Sequence, residues 1–170
     1  MAIREINAEG LTLVKAFEGL PDGDPTTVNL DPYLDPIGIW TIGYGHAIRG
    51  ANGKYLRGEA DREKAKALYP DGLTLEQAEL LLRADMLDSC RDVQAVVKVP
   101  LSDNQFAALV SFEFNCGGLG QSTLLRMLNA GEPSEAVASQ LLRWNRAGGK
   151  VLAGLTRRRR AEMDLFLKAA

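Results

Sequence analysis

The sequence predicts an α+β fold that is mostly helical, with a small β-containing lobe near the N-terminus and a larger helical lobe after it. Three observations carry that reading. From residue 74 onward, apolar residues recur at helical spacing behind two capping-box signatures, Thr74-Leu-Glu-Gln77 and Ser102-Asp-Asn-Gln105. Residues 33–48 are instead short, aromatic and β-branched, with glycines between them. No internal repeat or low-complexity segment interrupts the 170 residues, a length that suits one domain, or one domain with two lobes.

The elements follow in order. Ile6, Leu11, Leu13, Val14 and Phe17 suggest a first helix over about residues 5–18, closed by Gly19. PDGDPTTVN, residues 21–29, is too rich in turn residues for a helix and is expected to lie at the surface as a mobile flap. Residues 33–48 fit a hairpin or a three-stranded sheet inside a β lobe of about residues 30–60. The helical lobe, about 74–170, starts with a long helix reaching about Val97. Behind the second capping box comes FAALVSFEF, apolar enough to be the centre of the core. Further helices are expected at about 122–130, 134–144 and 156–168, with Pro133 well placed at a first turn.

Composition narrows the function classes. A 46% hydrophobic and 25% charged chain can build a core and is not expected to be disordered. Its net charge of −2 sets up no global field toward nucleic acid, and none is expected as a partner. The run Arg157 to Arg160 cannot face one partner, because helix geometry points consecutive residues in different directions. Some of these arginines are expected in ion pairs and others on a solvated face. Arg4, Glu5, Asn7, Glu9 and Lys15 interrupt the N-terminal apolar positions, so no signal peptide is read there. No stretch approaches the roughly 18 apolar residues of a membrane span, so synthesis in the cytoplasm without stable membrane association is expected. Cys90 and Cys116 lack metal-ligand spacing and His46 is the only histidine, so no metal or cofactor is expected. Both thiols are expected to be buried and reduced.

Glu18 is the first acid to consider. It falls at the C-terminal end of the first helix, in A-F-E-G-L, where the helix dipole and burial both disfavour an ionised carboxylate. Those effects favour the protonated form that a general acid needs. Taken alone, Glu18 reads as a plain surface glutamate. Asp35 sits in Y-L-D-P-I-G, six positions before Thr41, although Asp-Pro also starts ordinary turns. In T-I-G-Y-G-H, Gly43 and Gly45 permit a tight hairpin or the close approach of a ligand. There is no dinucleotide fingerprint, no phosphate loop and no serine in a nucleophile elbow. His46 is assigned to structure.

Together these signals resemble the phage-type lysozymes, the endolysin muramidases. The resemblance is carried by Glu18-Gly19-Leu20, by Tyr33, Asp35, Gly38 and Thr41 to His46, and by the segments 101–117, 122–129, 144–149 and 154–162. It implies a two-lobed lysozyme-like fold with a substrate cleft between the lobes. It also implies hydrolysis of the β-1,4 bond between N-acetylmuramic acid and N-acetylglucosamine in peptidoglycan glycan strands, with inversion. Glu18 would be the general acid, Asp35 the base or water-orienting carboxylate, and Thr41 a hydrogen-bond partner of that water. Gly45, Ala47, Phe114 and Asn115 would lie against the glycan, and Arg158 would pair with Glu18. His46 would pair with Asp85 or Asp88. A monomer released to the wall by a separate holin is expected, without direct binding to it.

One departure concerns spacing. The interval from Glu18 to Asp35 is 17 positions (35 − 18), longer than in the family, and the extra residues are the turn-rich segment 21–29. That insertion brings rival carboxylates, Asp22, Asp24 and Asp31; Asp31, also followed by proline, is the alternative to Asp35. Two other classes also stay open. A lytic transglycosylase would need only the glutamate, and a wall-binding module would need neither acid.

Overall fold

The structure, a computed structural model, describes residues 2–169. In chain order the elements are α1 (Ala8–Glu18), β1 (Tyr33–Leu34), β2 (Trp40–Ile42), β3 (His46–Ala47), α2 (Arg62–Leu68), α3 (Leu75–Val96), α4 (Asp103–Cys116), α5 (Thr123–Asn129), α6 (Ser134–Ser139), β4 (Arg146–Ala147), β5 (Lys150–Val151) and α7 (Ala153–Leu167). They fall into two compact units. One is Glu18–Asp85; the other joins the residues up to Phe17 with those from Met86 on. The mostly helical α+β class expected from the sequence holds.

In the smaller unit, β1, β2 and β3 form an antiparallel sheet in that order. Tyr33 pairs with Thr41 and Thr41 with Ala47, while Leu34 pairs with Trp40 and Ile42 with His46. Paired residues share a sheet face, so Tyr33, Thr41 and Ala47 lie on one face and Trp40 and Ile42 on the other. The second face builds the core, where Trp40 and Ile42 meet Ile48, Leu56 and Ala65, flanked by Tyr69, Leu73 and Leu81. Helix α2 was not foreseen, since seven residues give too short a periodic pattern to read.

The insertion lies at the surface, as its composition implies, and Val28 is fully exposed. Its ends are nonetheless tied down. Leu30 and Leu73 exchange two backbone hydrogen bonds of 2.8 Å, and Asn29 Nδ2 donates to the Asp71 carbonyl at 2.7 Å. Gly23 N donates to the Asp31 carbonyl at 3.1 Å, while Asp22 Oδ1 accepts from Asp31 N at 3.0 Å.

The larger unit is organised on α4, whose Phe106, Ala107, Leu109, Val110 and Phe112 are all buried. Both capping boxes form. Ser102 and Gln105 satisfy each other's backbone amides, as do Thr74 and Gln77, and each N-cap is worth about 1 kcal/mol. A Cβ at Gly10 would lie 2.5 Å from Ala107 Cβ, so only glycine lets α1 approach α4 this closely.

Three sequence expectations need correction. The helix expected over 134–144 is α-helical only to Ser139 and continues as a 3₁₀ turn, Gln140–Arg143. The hairpin β4–β5 was missed, although Gly148 and Gly149, both at positive φ, supply the backbone freedom of its turn. Cys90 is buried but Cys116 is an exposed residue, because it is the last of α4 rather than part of its inward face.

Candidate active site

Glu18 is the last residue of α1 and is half-buried. Gly19 follows at φ 70°, which ends the helix and fixes the carboxylate at its C-terminus. The turn from β2 to β3 comes close to it: a Cβ at Gly45 would sit 3.7 Å from Glu18 Oε2. Gly45 has φ 87°, a conformation that any larger residue adopts only with strain. The sequence T-I-G-Y-G-H therefore bends where it meets the acid.

Tyr33 lies within electrostatic reach of both candidate carboxylates. Burial, then the charges of Asp35 and Glu18, push its phenol above the ordinary tyrosine value, so it stays a neutral donor. Asp35 closes the β1–β2 turn. Its Oδ1 accepts from Ile37 N at 3.0 Å and Ile39 N at 2.8 Å, and its Oδ2 makes no hydrogen bond among the described residues. One oxygen thus anchors the carboxylate while the other remains available to water. Thr41, cross-strand from Tyr33, is buried and donates its hydroxyl to the Ile39 carbonyl at 3.1 Å, which leaves its oxygen able to accept. Ala47 extends the same face.

His46 Nδ1 meets the Asp85 carboxylate at 2.9 and 3.0 Å, the first of the two partners expected for it. Asp88 instead pairs with Arg91. Among the rival acids, Asp22, Asp24 and Asp31 each spend a carboxylate oxygen on the insertion itself: Asp22 on backbone amides, Asp24 on Thr26 and Asp31 on the Thr27 hydroxyl.

The remaining candidates belong to the larger unit. Phe114 and Asn115 end α4, and Asn115 Oδ1 accepts from Arg159 Nη2 at 2.6 Å. The arginine run divides as expected: Arg157 and Arg160 are exposed, whereas Arg158 and Arg159 are buried around Glu162. Arg158 Nε lies 3.3 Å from Glu162 Oε1, which also accepts from Ser111 Oγ at 2.7 Å and Arg159 Nη2 at 3.1 Å. Arg159 Nε and Glu162 Oε2 are 2.9 Å apart without hydrogen-bond alignment, so that contact is ionic. Burial pushes the Glu162 carboxyl up and the Arg159 guanidinium down, each opposed by the other's charge. Arg158 also lies over the Phe17 ring, 5.7 Å from its centroid. Sequence reading singled out the arginines but missed Glu162, whose signal was its place three and four positions after two of them.

The profile of the phage lysozyme family matches residues 16–162. An endolysin of Bacillus phage B103 is 38% identical over 95% of this chain, which spans only 54% of that relative's length. An endolysin of Acyrthosiphon pisum secondary endosymbiont phage 1 is 36% identical, covering 96% of this chain and 99% of the relative. Among solved structures, the endolysin of Escherichia coli O157:H7 phage FAHEc1 has a TM-score of 0.74 at 34% identity over 98% of this chain and 95% of its own. The muramidase domain of SpmX from Asticaccaulis excentricus has a TM-score of 0.71 at 35% identity, with 98% and 99% covered. The chain therefore belongs to the phage lysozyme family.

Proposed function

We propose that this protein is a peptidoglycan-lysing endolysin, a muramidase that hydrolyses the β-1,4 bond between N-acetylmuramic acid and N-acetylglucosamine with inversion. The observation that carries the reading is the grouping of Glu18, Gly45, Tyr33 and Asp35, with one unbonded oxygen on Asp35. Glu18 gives its proton to the glycosidic oxygen as that bond breaks. Asp35, anchored through Oδ1, uses Oδ2 to orient a water and take its proton as the new bond forms at the sugar. Thr41 accepts a hydrogen bond from the same water. Gly45 and Ala47 contact the glycan from the sheet, and Phe114 and Asn115 from the end of α4. Arg158 supports the Glu18 carboxylate, a role favoured by its place over Phe17, the preceding residue. The chain acts as a monomer, reaches the wall through a separate holin, and needs no metal. No helix among the described residues is long and apolar enough to cross a membrane.

Product analysis tests the reaction. Purified peptidoglycan should yield fragments ending in a reducing N-acetylmuramic acid, first formed as the α-anomer. Anhydromuramic ends would identify a lytic transglycosylase, and the absence of any soluble product would identify a binding module.

A further inference from the structure

Arg159 is a cation without access to solvent, and its neighbours hold it in one orientation. Its Nη2 donates to Glu162 Oε1 at 3.1 Å, and its Nε lies 2.9 Å from Glu162 Oε2. Its Nη1 points to Cys116 Sγ, 3.8 Å away. The guanidinium also lies over the Phe112 ring, 5.0 Å from its centroid, and Trp144 meets that ring edge-on at 5.3 Å. A Cβ at Gly118 would sit 2.4 Å from the Trp144 ring, so the chain leaving α4 closes the same stack. A planar fork held along its edges and on one face does not turn.

One bond carries this order to the surface. Nη2 also donates to Asn115 Oδ1 at 2.6 Å, and Asn115 is an exposed residue in the last turn of α4. A guanidinium has donors alone, so the amide turns its oxygen inward and its Nδ2 outward. That Nδ2 makes no hydrogen bond among the described residues. An ion pair serving stability alone needs no such bond. Two buried charges contribute little beyond what apolar side chains of the same volume supply, because desolvation offsets their attraction. An apolar pair, however, cannot aim an amide. The terminal torsion of a free asparagine is broad, and here it is restricted before any ligand arrives.

We propose that Arg159 is a positioning residue, aligned by Glu162, that presents the Nδ2 donors of Asn115 to an acceptor oxygen of the glycan. The proposal rests on the muramidase reading, in which Asn115 contacts the glycan. Arg159 acts through Asn115 and does not itself touch the sugar.

Substitutions separate positioning from packing. Asn115→Asp keeps an oxygen for Arg159 but removes the outward N–H groups. Its Tm should stay at or above the wild-type value while kcat/KM on soluble glycan chains falls about three- to tenfold, the range of one lost hydrogen bond. Arg159→Met should lower both Tm and kcat/KM. In the Asn115→Ala background, Arg159→Met should still lower Tm but leave kcat/KM unchanged, because no amide remains to be aimed. An equal fall in both backgrounds overturns the proposal, as does wild-type kcat/KM for Asn115→Asp. Should Arg159→Met not fold, Arg159→Lys takes its place, since an ammonium keeps the charge but lacks the fork that spans Glu162 and Asn115. The second readout needs no substrate. The side-chain NH2 of Asn115 should give an NMR order parameter near the rigid value of about 0.85 in the wild type and below about 0.6 in the Arg159 variant. A mobile wild-type amide, or equal order in both proteins, overturns the proposal. Should the wild type cleave no glycan, the muramidase reading fails, and the amide order by itself decides whether Arg159 positions Asn115.

Discussion

Replacing Glu162 by Ala should destabilise the protein far more than an average substitution. Its carboxylate is fully buried and holds two guanidinium groups, Arg158 and Arg159, that are themselves 4% and 0% exposed. Removing it takes a buried carboxylate from both arginines and a hydrogen-bond acceptor from Ser111. Breaking such a pair costs about 3–5 kcal/mol. For a domain of this size each kcal/mol shifts Tm by about 2–4 °C, so a drop of about 6–20 °C is expected in a thermal melt. Glu162→Gln keeps the shape and an oxygen for Ser111, so a loss that persists in it is electrostatic. A drop below about 2 °C in both variants would refute the argument, because the arginines would then need no buried counter-charge.

Two further predictions concern single side chains. Asp35→Asn should lower lytic activity by roughly 10²–10⁴-fold, whereas Asp31→Asn should cost no more than about tenfold; turbidity assays on cell walls decide, and the reverse pattern would move the base role to Asp31. Cys116 is exposed as a residue, but its sulfur donates to the Phe112 carbonyl at 3.2 Å, and burial pushes its thiol above the ordinary value despite Arg159 nearby. Alkylation by iodoacetamide should therefore be slower at neutral pH than for a free thiol, and should accelerate as pH rises past the ordinary thiol value; labelling at the free-thiol rate would contradict this.

The long helices were legible because their signals are local. Both capping boxes and the apolar run of α4 lie within a few residues of the structure they specify. The charged partners were legible only in part. His46 offered two acids one helical turn apart, and only the fold distinguishes Asp85 from Asp88. The arginine run could be divided into buried and exposed members by helix geometry, yet the burial of Glu162 depends on Ser111, 51 positions earlier. The insertion shows the limit most clearly. Its turn residues announced a surface loop, but the bridge from Leu30 to Leu73 is a long-range pairing that composition does not encode.

The central claim is that Glu18 delivers the proton that breaks the glycosidic bond. The most direct measurement is the rate of reducing-end release from purified peptidoglycan by Glu18→Gln, alongside its melting temperature. The amide keeps the shape of the carboxyl but cannot donate that proton, so the rate should fall by roughly 10²–10⁴-fold or more while Tm stays near wild type. A folded Glu18→Gln protein that keeps more than about a tenth of wild-type activity would contradict the assignment.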